Sequence, residues 1–265
     1  MPITCKFTPR ILSQDEFHAV DKIVMRHAFD IQNEMGRLFD ETIYQNELAF
    51  RCRVHGLEVL TEGVISVEYR DFRKLYFLDM LANNGGIYEL KATTALNNNN
   101  DLQLINYLLL AGLHHGKLIN FGPTSVEHRF ISTSLTPEDR KNVSLDTRRW
   151  KGSDSEDIIL SDVLSSMLED WGLFLSVDLY TEAIKHFLGS NRKLCSVAVS
   201  SEGRLLGHQK LALLNEGTGL HISAIAKHHP SYEIHLEKLF SYTPLRRIQW
   251  LNFNKNIVQM ITLQK

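Results

Sequence analysis

Two stretches of this chain repeat one apolar pattern at a fixed distance, and that repetition limits the fold more than any other feature. Val197-Ala-Val199 lines up with Ile65-Ser-Val67, and Trp250-Leu-Asn-Phe-Asn254 with Leu118-Ile-Asn-Phe-Gly122, both at an offset of 132 residues. Gly172 and Tyr180 match Gly36 and Tyr44 at an offset of 136. Self-similarity over such a period predicts two copies of one fold in tandem. The 265 residues are enough for one large domain or two small ones.

Within the first copy, apolar positions Phe17, Val20, Ile23, Val24, His27 and Ile31 predict a helix over Asp15–Met35. Gly36 interrupts it, and a second helix is expected over Phe39–Phe50. Strands are expected near Glu58–Tyr69, Lys74–Ala82 and Ile87–Ala92. The Asn97–Asn100 run reads as a loop, with Asn100 or Asp101 capping a helix over Leu102–Ala111. Strands near Lys117–Phe121 and Val126–Ser132 follow. This order predicts a mixed α/β sheet flanked by helices. In the second copy a helix over Tyr232–Phe240 falls where the first copy has its later one. Between the copies, Ser, Thr, Asp, Arg and Lys dominate. The expected division is a first domain over 1–135, a linker over 136–158 and a second domain over 159–265. Arg140, Lys141, Arg148, Arg149 and Lys151 make the connecting region basic. A solvated connector is preferred there to a nucleic-acid clamp.

Three charged residues stand in the apolar hairpin Phe77-Leu-Asp-Met-Leu-Ala-Asn-Asn-Gly-Gly-Ile-Tyr-Glu-Leu-Lys91. Charges are costly to bury unless they are paired or bind a metal. Glu89 and Lys91 face the same way by strand alternation. A two-residue turn at Asn84-Gly85 would send Asp79 to the other face. A three-residue loop, Asn84-Gly85-Gly86, would pair Asp79 with Lys91 and set it diagonal to Glu89, with Gly86 left-handed. An ion-pair cluster without metal is the alternative, but two acids against one lysine leave negative charge that favours a cation.

Composition narrows the remaining classes. Apolar residues make up 43% and charged residues 23%, as in an ordinary globular protein. No apolar run can span a membrane, and Met1-Pro-Ile-Thr-Cys-Lys lacks the apolar core of an export signal. Cys5, Cys52 and Cys195 are scattered and odd in number, which suits reduced cytoplasmic thiols. A net charge of −2 argues against a protein that coats nucleic acid over its whole surface. The adjacent pairs His114-His115 and His228-His229 lack the spacing of helical metal ligands. Arg70, Arg73 and Lys74 could touch phosphates or simply be solvated.

Glu41 lies one turn before Tyr44, and Gln103 and Tyr107 share a helix face at i, i+4. The set Gly36…Glu41-x-x-Tyr44, Asp79, Glu89-x-Lys91, Gln103-x-x-x-Tyr107 and Leu118-Ile-Asn-Phe-Gly122 resembles the GxxExxY proteins of the PD-(D/E)XK nuclease superfamily. The resemblance covers residues 15–132, with a degenerate echo over 161–263. It implies a restriction-endonuclease-like fold, present as a tandem pseudo-repeat. It also implies a metal-dependent nuclease using Mg²⁺ or Mn²⁺ on nucleic acid, DNA favoured over RNA. Asp79, Glu89 and the Leu90 carbonyl would ligate the metal, and Glu41 would complete the site or hold a metal water. Lys91 would orient the attacking water, while Gln103 and Tyr107 would position catalytic groups. Tyr44 is expected as a core aromatic with a bonded hydroxyl. Two departures stand out: Leu38 replaces the usual glycine three residues before the motif glutamate, and Leu78 precedes Asp79 where proline is common. In the second copy Val177, Leu211, His221, Ser223, His235 and Leu239 replace Glu41, Asp79, Glu89, Lys91, Gln103 and Tyr107. That copy is therefore expected to lack the metal site and to form an internal pseudo-dimer, which could make a monomer sufficient, although the sequence leaves the oligomeric state open. A non-catalytic nucleic-acid-binding or protein-interaction scaffold on the same fold is the competing function.

Overall fold

Ser13 opens the first long helix because its hydroxyl accepts from Glu16 N while the Glu16 carboxylate accepts from Ser13 N. That helix, α1, spans Gln14–Met35 and buries Phe17, Val20, Val24, Ala28 and Ile31 along one stripe. It ends at Gly36, whose φ of 76° favours glycine. The computed structural model describes residues 2–189, 195–226 and 231–265, with the backbone alone at 230; His228-His229 lie outside them. Contacts divide the chain into two units, Met1–Asp139 and Arg140–Lys265. Among the described residues no helix is long and apolar enough to cross a membrane.

In the first unit β1 (Ile3–Cys5) precedes α1, and α2 (Glu41–Val54) follows it. Next come β2 (Val59–Tyr69), β3 (Phe72–Ala82), β4 (Gly86–Lys91), α3 (Asn98–Ala111), β5 (His115–Asn120) and β6 (Glu127–Ser132). One six-stranded sheet runs in the order β1-β2-β3-β4-β5-β6. Only β4 and β5 are parallel, and α3 makes the crossover that a parallel pair requires. Tyr88 and Leu90 join the core formed by α1, α2 and the sheet, with Phe17, Val24, Tyr44 and Leu48. Alternation sends Glu89 to the other side, where α3 lies. α3 begins earlier than expected. Asn97 caps it, accepting from Asn99 N and Asn100 N, and the Asn100 side chain accepts from Asn97 N. The asparagine run is thus cap and first turn, because asparagine satisfies the free N–H groups a helix start exposes.

The hairpin loop has the expected three residues, but they are Asn83-Asn84-Gly85 rather than Asn84-Gly85-Gly86. The register pairs Met80 with Tyr88 and Ala82 with Gly86, so its continuation sets Asp79 across from Glu89, not Lys91. Asn83 and Asn84 supply the left-handed turn with φ of 48° and 55°. Gly86 is instead a strand residue, and a Cβ there would press on Phe17 at 3.2 Å. The slip from expectation is two residues, which preserves the face each side chain takes.

The second unit holds α4 (Pro137–Lys141) at its boundary, then β7 (Ser144–Arg149), α5 (Ser155–Trp171), α6 (Val177–Phe187), β8 (Cys195–Ser201), β9 (Arg204–Leu211), β10 (Leu213–Asn215), β11 (Thr218–Ser223), α7 (Pro230–Tyr242), β12 (Arg247–Asn254) and β13 (Ile257–Gln264). Its five-stranded sheet runs β10-β11-β12-β13-β7, beside a separate β8-β9 pair. The parallel pair recurs: Thr218 faces Arg247 as Gly86 faces His115, each residue 132 positions after its counterpart. The segment 136–158, expected as a linker, is largely structured, and β7 pairs in parallel with β13. Edge strands are held by main-chain bonds, so β7 needs no apolar alternation to signal it. Its basic residues are engaged locally: Arg148 with Asp146, Arg149 with Glu233, while Arg140 is buried.

Candidate active site

Where β3 and β4 part, the hairpin brings its three charged residues together. The Asp79 carboxylate accepts the Leu90 N–H at 2.7 Å, so it lies between the strands on the Glu89 side. Lys91 Nζ stands 2.7 Å from Glu89 Oε1, 3.8 Å from Asp79 Oδ2 and 3.6 Å from Glu41 Oε1. It also donates to the Leu90 carbonyl at 2.7 Å. Glu41 is the first residue of α2, which aims it at the sheet end; its side chain is 39% exposed, against 1% for Glu89. From α3, Gln103 Nε2 donates to Glu89 Oε1 at 2.6 Å and contacts the Tyr107 hydroxyl at 3.1 Å. All six candidate side chains, with the Leu90 carbonyl, are therefore neighbours.

Burial dominates the electrostatics here. It pushes Glu89 up to about 8, with the Asp79 charge adding and Lys91 pulling back. Asp79 rises to about 6, mainly because burial strips water from its charged form, against the pull of Lys91 and the Leu90 N–H. Burial acts the other way on Lys91, but Glu89, Asp79 and Glu41 together outweigh it and hold its pKa above the ordinary lysine range. Burial also raises the Tyr107 hydroxyl. One ammonium does not compensate this many acids.

Among the described residues no three acid, histidine or cysteine side chains form a ready metal cage. The donor set still suits Mg²⁺, which is commonly bound through one or two carboxylates and keeps several waters. Glu89 Oε2 is buried with no hydrogen-bond partner, an acceptor left over for a cation.

Two contributors escaped the sequence reading. Gln45 donates to the Asp79 carbonyl at 2.6 Å and to Glu62 at 2.8 Å, tying α2 to the hairpin. Its i+4 spacing from Glu41 was the available signal. Glu62 itself has a φ of 53°, which nothing local in the sequence announces. The other polar candidates lie elsewhere. Tyr44 is buried, donates to the Gly36 carbonyl at 2.8 Å and stacks on Phe121. His115 stacks on Phe130, where burial lowers its pKa. Arg73 pairs with Glu68, and Arg70 and Lys74 lie over Tyr69 and Tyr76.

At the corresponding place in the second unit, His221 meets the Tyr232 hydroxyl at 2.7 Å, and Ser223 accepts from Trp250 Nε1 at 2.9 Å. Aromatic rings fill that face in place of acids. Comparison with known proteins gives no curated protein and no solved structure that matches the chain. A family model does match over residues 18–131, the span that holds every residue of the charged cluster. The model that matches residues 18–131 is that of the PD-(D/E)XK nuclease superfamily.

Proposed function

We propose that the first unit hydrolyses phosphodiester bonds of nucleic acid with the help of Mg²⁺ or Mn²⁺, and that within the superfamily it belongs with the GxxExxY proteins. The observation that carries this reading is the convergence of Asp79, Glu89, Glu41 and Lys91 around one point, with a buried carboxylate oxygen to spare. Asp79, Glu89 and the Leu90 carbonyl would hold the cation, and Glu41 would complete the site. When bound, the cation supplies a Lewis acid and lowers the pKa of the attacking water. Lys91 orients that water and offsets charge that grows on the phosphoryl oxygens. Gln103 fixes the Glu89 carboxylate, and Tyr107 backs Gln103. The Leu90 N–H holds Asp79 in place.

The second unit is, on this reading, a copy that kept the fold and lost the chemistry. On the same reading that copy also favours the rival, a non-catalytic scaffold, since the fold would persist there without the acids. Incubation with Mg²⁺ or Mn²⁺ and single- and double-stranded DNA and RNA separates the two. Cleavage that Asp79→Ala and Lys91→Ala each abolish supports hydrolysis. Equal residual cleavage in both variants marks a contaminant and leaves the scaffold.

A further inference from the structure

The loop between α1 and α2 differs between the units in a way the charged cluster does not explain. In the first unit it reads Gly36-Arg37-Leu38-Phe39-Asp40 and runs directly into Glu41. Leu38 is 91% exposed and Phe39 is 45% exposed, with Arg37 exposed beside them. Ile43, one turn on from Phe39, is also exposed and extends the apolar surface. Nothing stands near the place a Cβ would take on Gly36, so the loop is open. It is also held in shape. Phe39 N donates to the Tyr44 hydroxyl at 3.2 Å, the same hydroxyl donates to the Gly36 carbonyl at 2.8 Å, and the Phe39 ring meets Tyr44 edge-on.

In the second unit the matching residues are Gly172-Leu-Phe-Leu-Ser176, with Val177 in the place of Glu41. There the loop is covered. Leu173 N donates to the Arg140 carbonyl at 2.8 Å, a Cβ on Gly172 would collide with that carbonyl, and Leu175 is only 5% exposed. The second unit buries Leu173 and Leu175 and half-buries Phe174, the residue that matches Leu38. The first unit presents its own, adds a cation, and does so within four residues of Glu41, at most about 14 Å along the chain.

We propose that Leu38 and Phe39 grip an unstacked base of the strand to be cut, with Arg37 on the adjoining phosphate, so that the substrate is nucleic acid with unpaired bases at the cleavage point. This rests on reading the first unit as a phosphodiesterase. Three features select a nucleic-acid strand as occupant. The loop is continuous with the candidate site, its cation suits a phosphate, and aromatic or apolar side chains accept any base face without regard to sequence. A paired base inside a duplex could not reach them without leaving its stack.

The test uses the whole chain with Mn²⁺ and oligonucleotides carrying 2-aminopurine near the cut, single-stranded and as blunt duplex. The variants are Leu38→Ser, whose side chain is solvated and leaves the fold intact, and Phe39→Ser, checked by thermal unfolding. The expected result is preferential cutting of unpaired strands. In each variant KM rises about tenfold, kcat changes far less, and the 2-aminopurine quench is lost. Binding by the Asp79→Asn protein in Ca²⁺ separates the two ideas. A chain that binds the strand through Leu38 yet never cuts overturns the hydrolase and keeps the grip. A chain that cuts with unchanged KM in Leu38→Ser, or cuts blunt duplex equally well, overturns the grip and keeps the hydrolase. Self-association that Leu38→Ser abolishes, with KM unchanged, reassigns the surface to a second copy of the chain and overturns the proposal.

Discussion

The two units share several single hydrogen bonds and one parallel strand pair at matched positions, yet differ at every position where chemistry is expected. Tyr44 donates to Gly36 O at 2.8 Å and stacks on Phe121; Tyr180 donates to Gly172 O at 2.7 Å and meets Phe253 with the rings tilted by 31°. Asn120 accepts from Thr93 N at 2.9 Å and donates to Glu127; Asn252 accepts from Ile225 N at 2.8 Å and donates to Gln259. Asp21 pairs with Lys117 where Asp157 accepts from Gln249. Buried polar groups that serve folding must stay satisfied, so they are retained or replaced by groups that still bond. The Asp79–Glu89–Lys91 cluster obeys no such rule: Leu211, His221 and Ser223 take its places, and the second unit still closes. On the proposed reading of the second unit as a copy, the difference teaches that the acid cluster is not required by the fold.

Substitution at matched positions puts that difference under the greatest strain. Asp79→Ala or Lys91→Ala is expected to lower kcat/KM by about a thousandfold, in line with loss of a group that stabilises developing charge. His221→Ala and Ser223→Ala, at the corresponding places, should leave kcat/KM within about twofold. A comparable loss from the second pair would mean that both units carry the reaction.

Metal addition should sort the units next. Mn²⁺ at about a hundred times its dissociation constant stabilises a binding unit by about 2.7 kcal/mol. Amide exchange should show this gain in residues 18–131, none in the second unit, and full reversal by EDTA.

The pH responses should then run in opposite directions. In chelator, Glu89 binds its proton more tightly folded than unfolded. First-unit stability therefore falls as pH rises from the ordinary glutamate value of 4.5 towards about 8. In the second unit burial holds His221 below the ordinary 6.5, so its contribution is present above that value and lost as pH falls below it. Urea unfolding with unit-resolved exchange should show slopes of opposite sign. Glu89→Gln should flatten the first and His221→Gln the second.

The smallest effect is a predicted equality. Tyr44→Phe and Tyr180→Phe each remove a hydroxyl bond to a glycine carbonyl, which should cost each unit about 1 kcal/mol, and Tyr44→Phe also gives up the longer bond from Phe39 N. A large inequality, measured by denaturant unfolding, would break the match between the scaffolds.

What could be read beforehand followed from periodicity and charge. Phe17, Val20, Val24 and Ile31 announced α1 by spacing alone, and charged residues inside apolar strands announced the hairpin cluster. What could not be read had no local signature. β7 is held by main-chain bonds to β13, so its side chains carry no pattern. The hairpin register turned on whether asparagine or glycine would take the left-handed positions, and Gly86 was claimed instead by close packing against Phe17. Gln45 reaches Asp79 from a different element, a pairing that only the tertiary fold creates.

The first sheet is finished by a very short strand. β1 covers only Ile65 to Val67 of the eleven-residue β2, and the chain just after it lays the Arg10 carbonyl against Gly85 and bonds Arg10 N to Asn84 O at 2.8 Å. Trimming the leader through Leu12 would therefore strip the border from a long, largely apolar ribbon and bare its hairpin tip. An unguarded ribbon invites a neighbour to add itself, main chain to main chain. Shortened preparations should form concentration-dependent aggregates, visible by light scattering, while the acids of the cluster remain untouched.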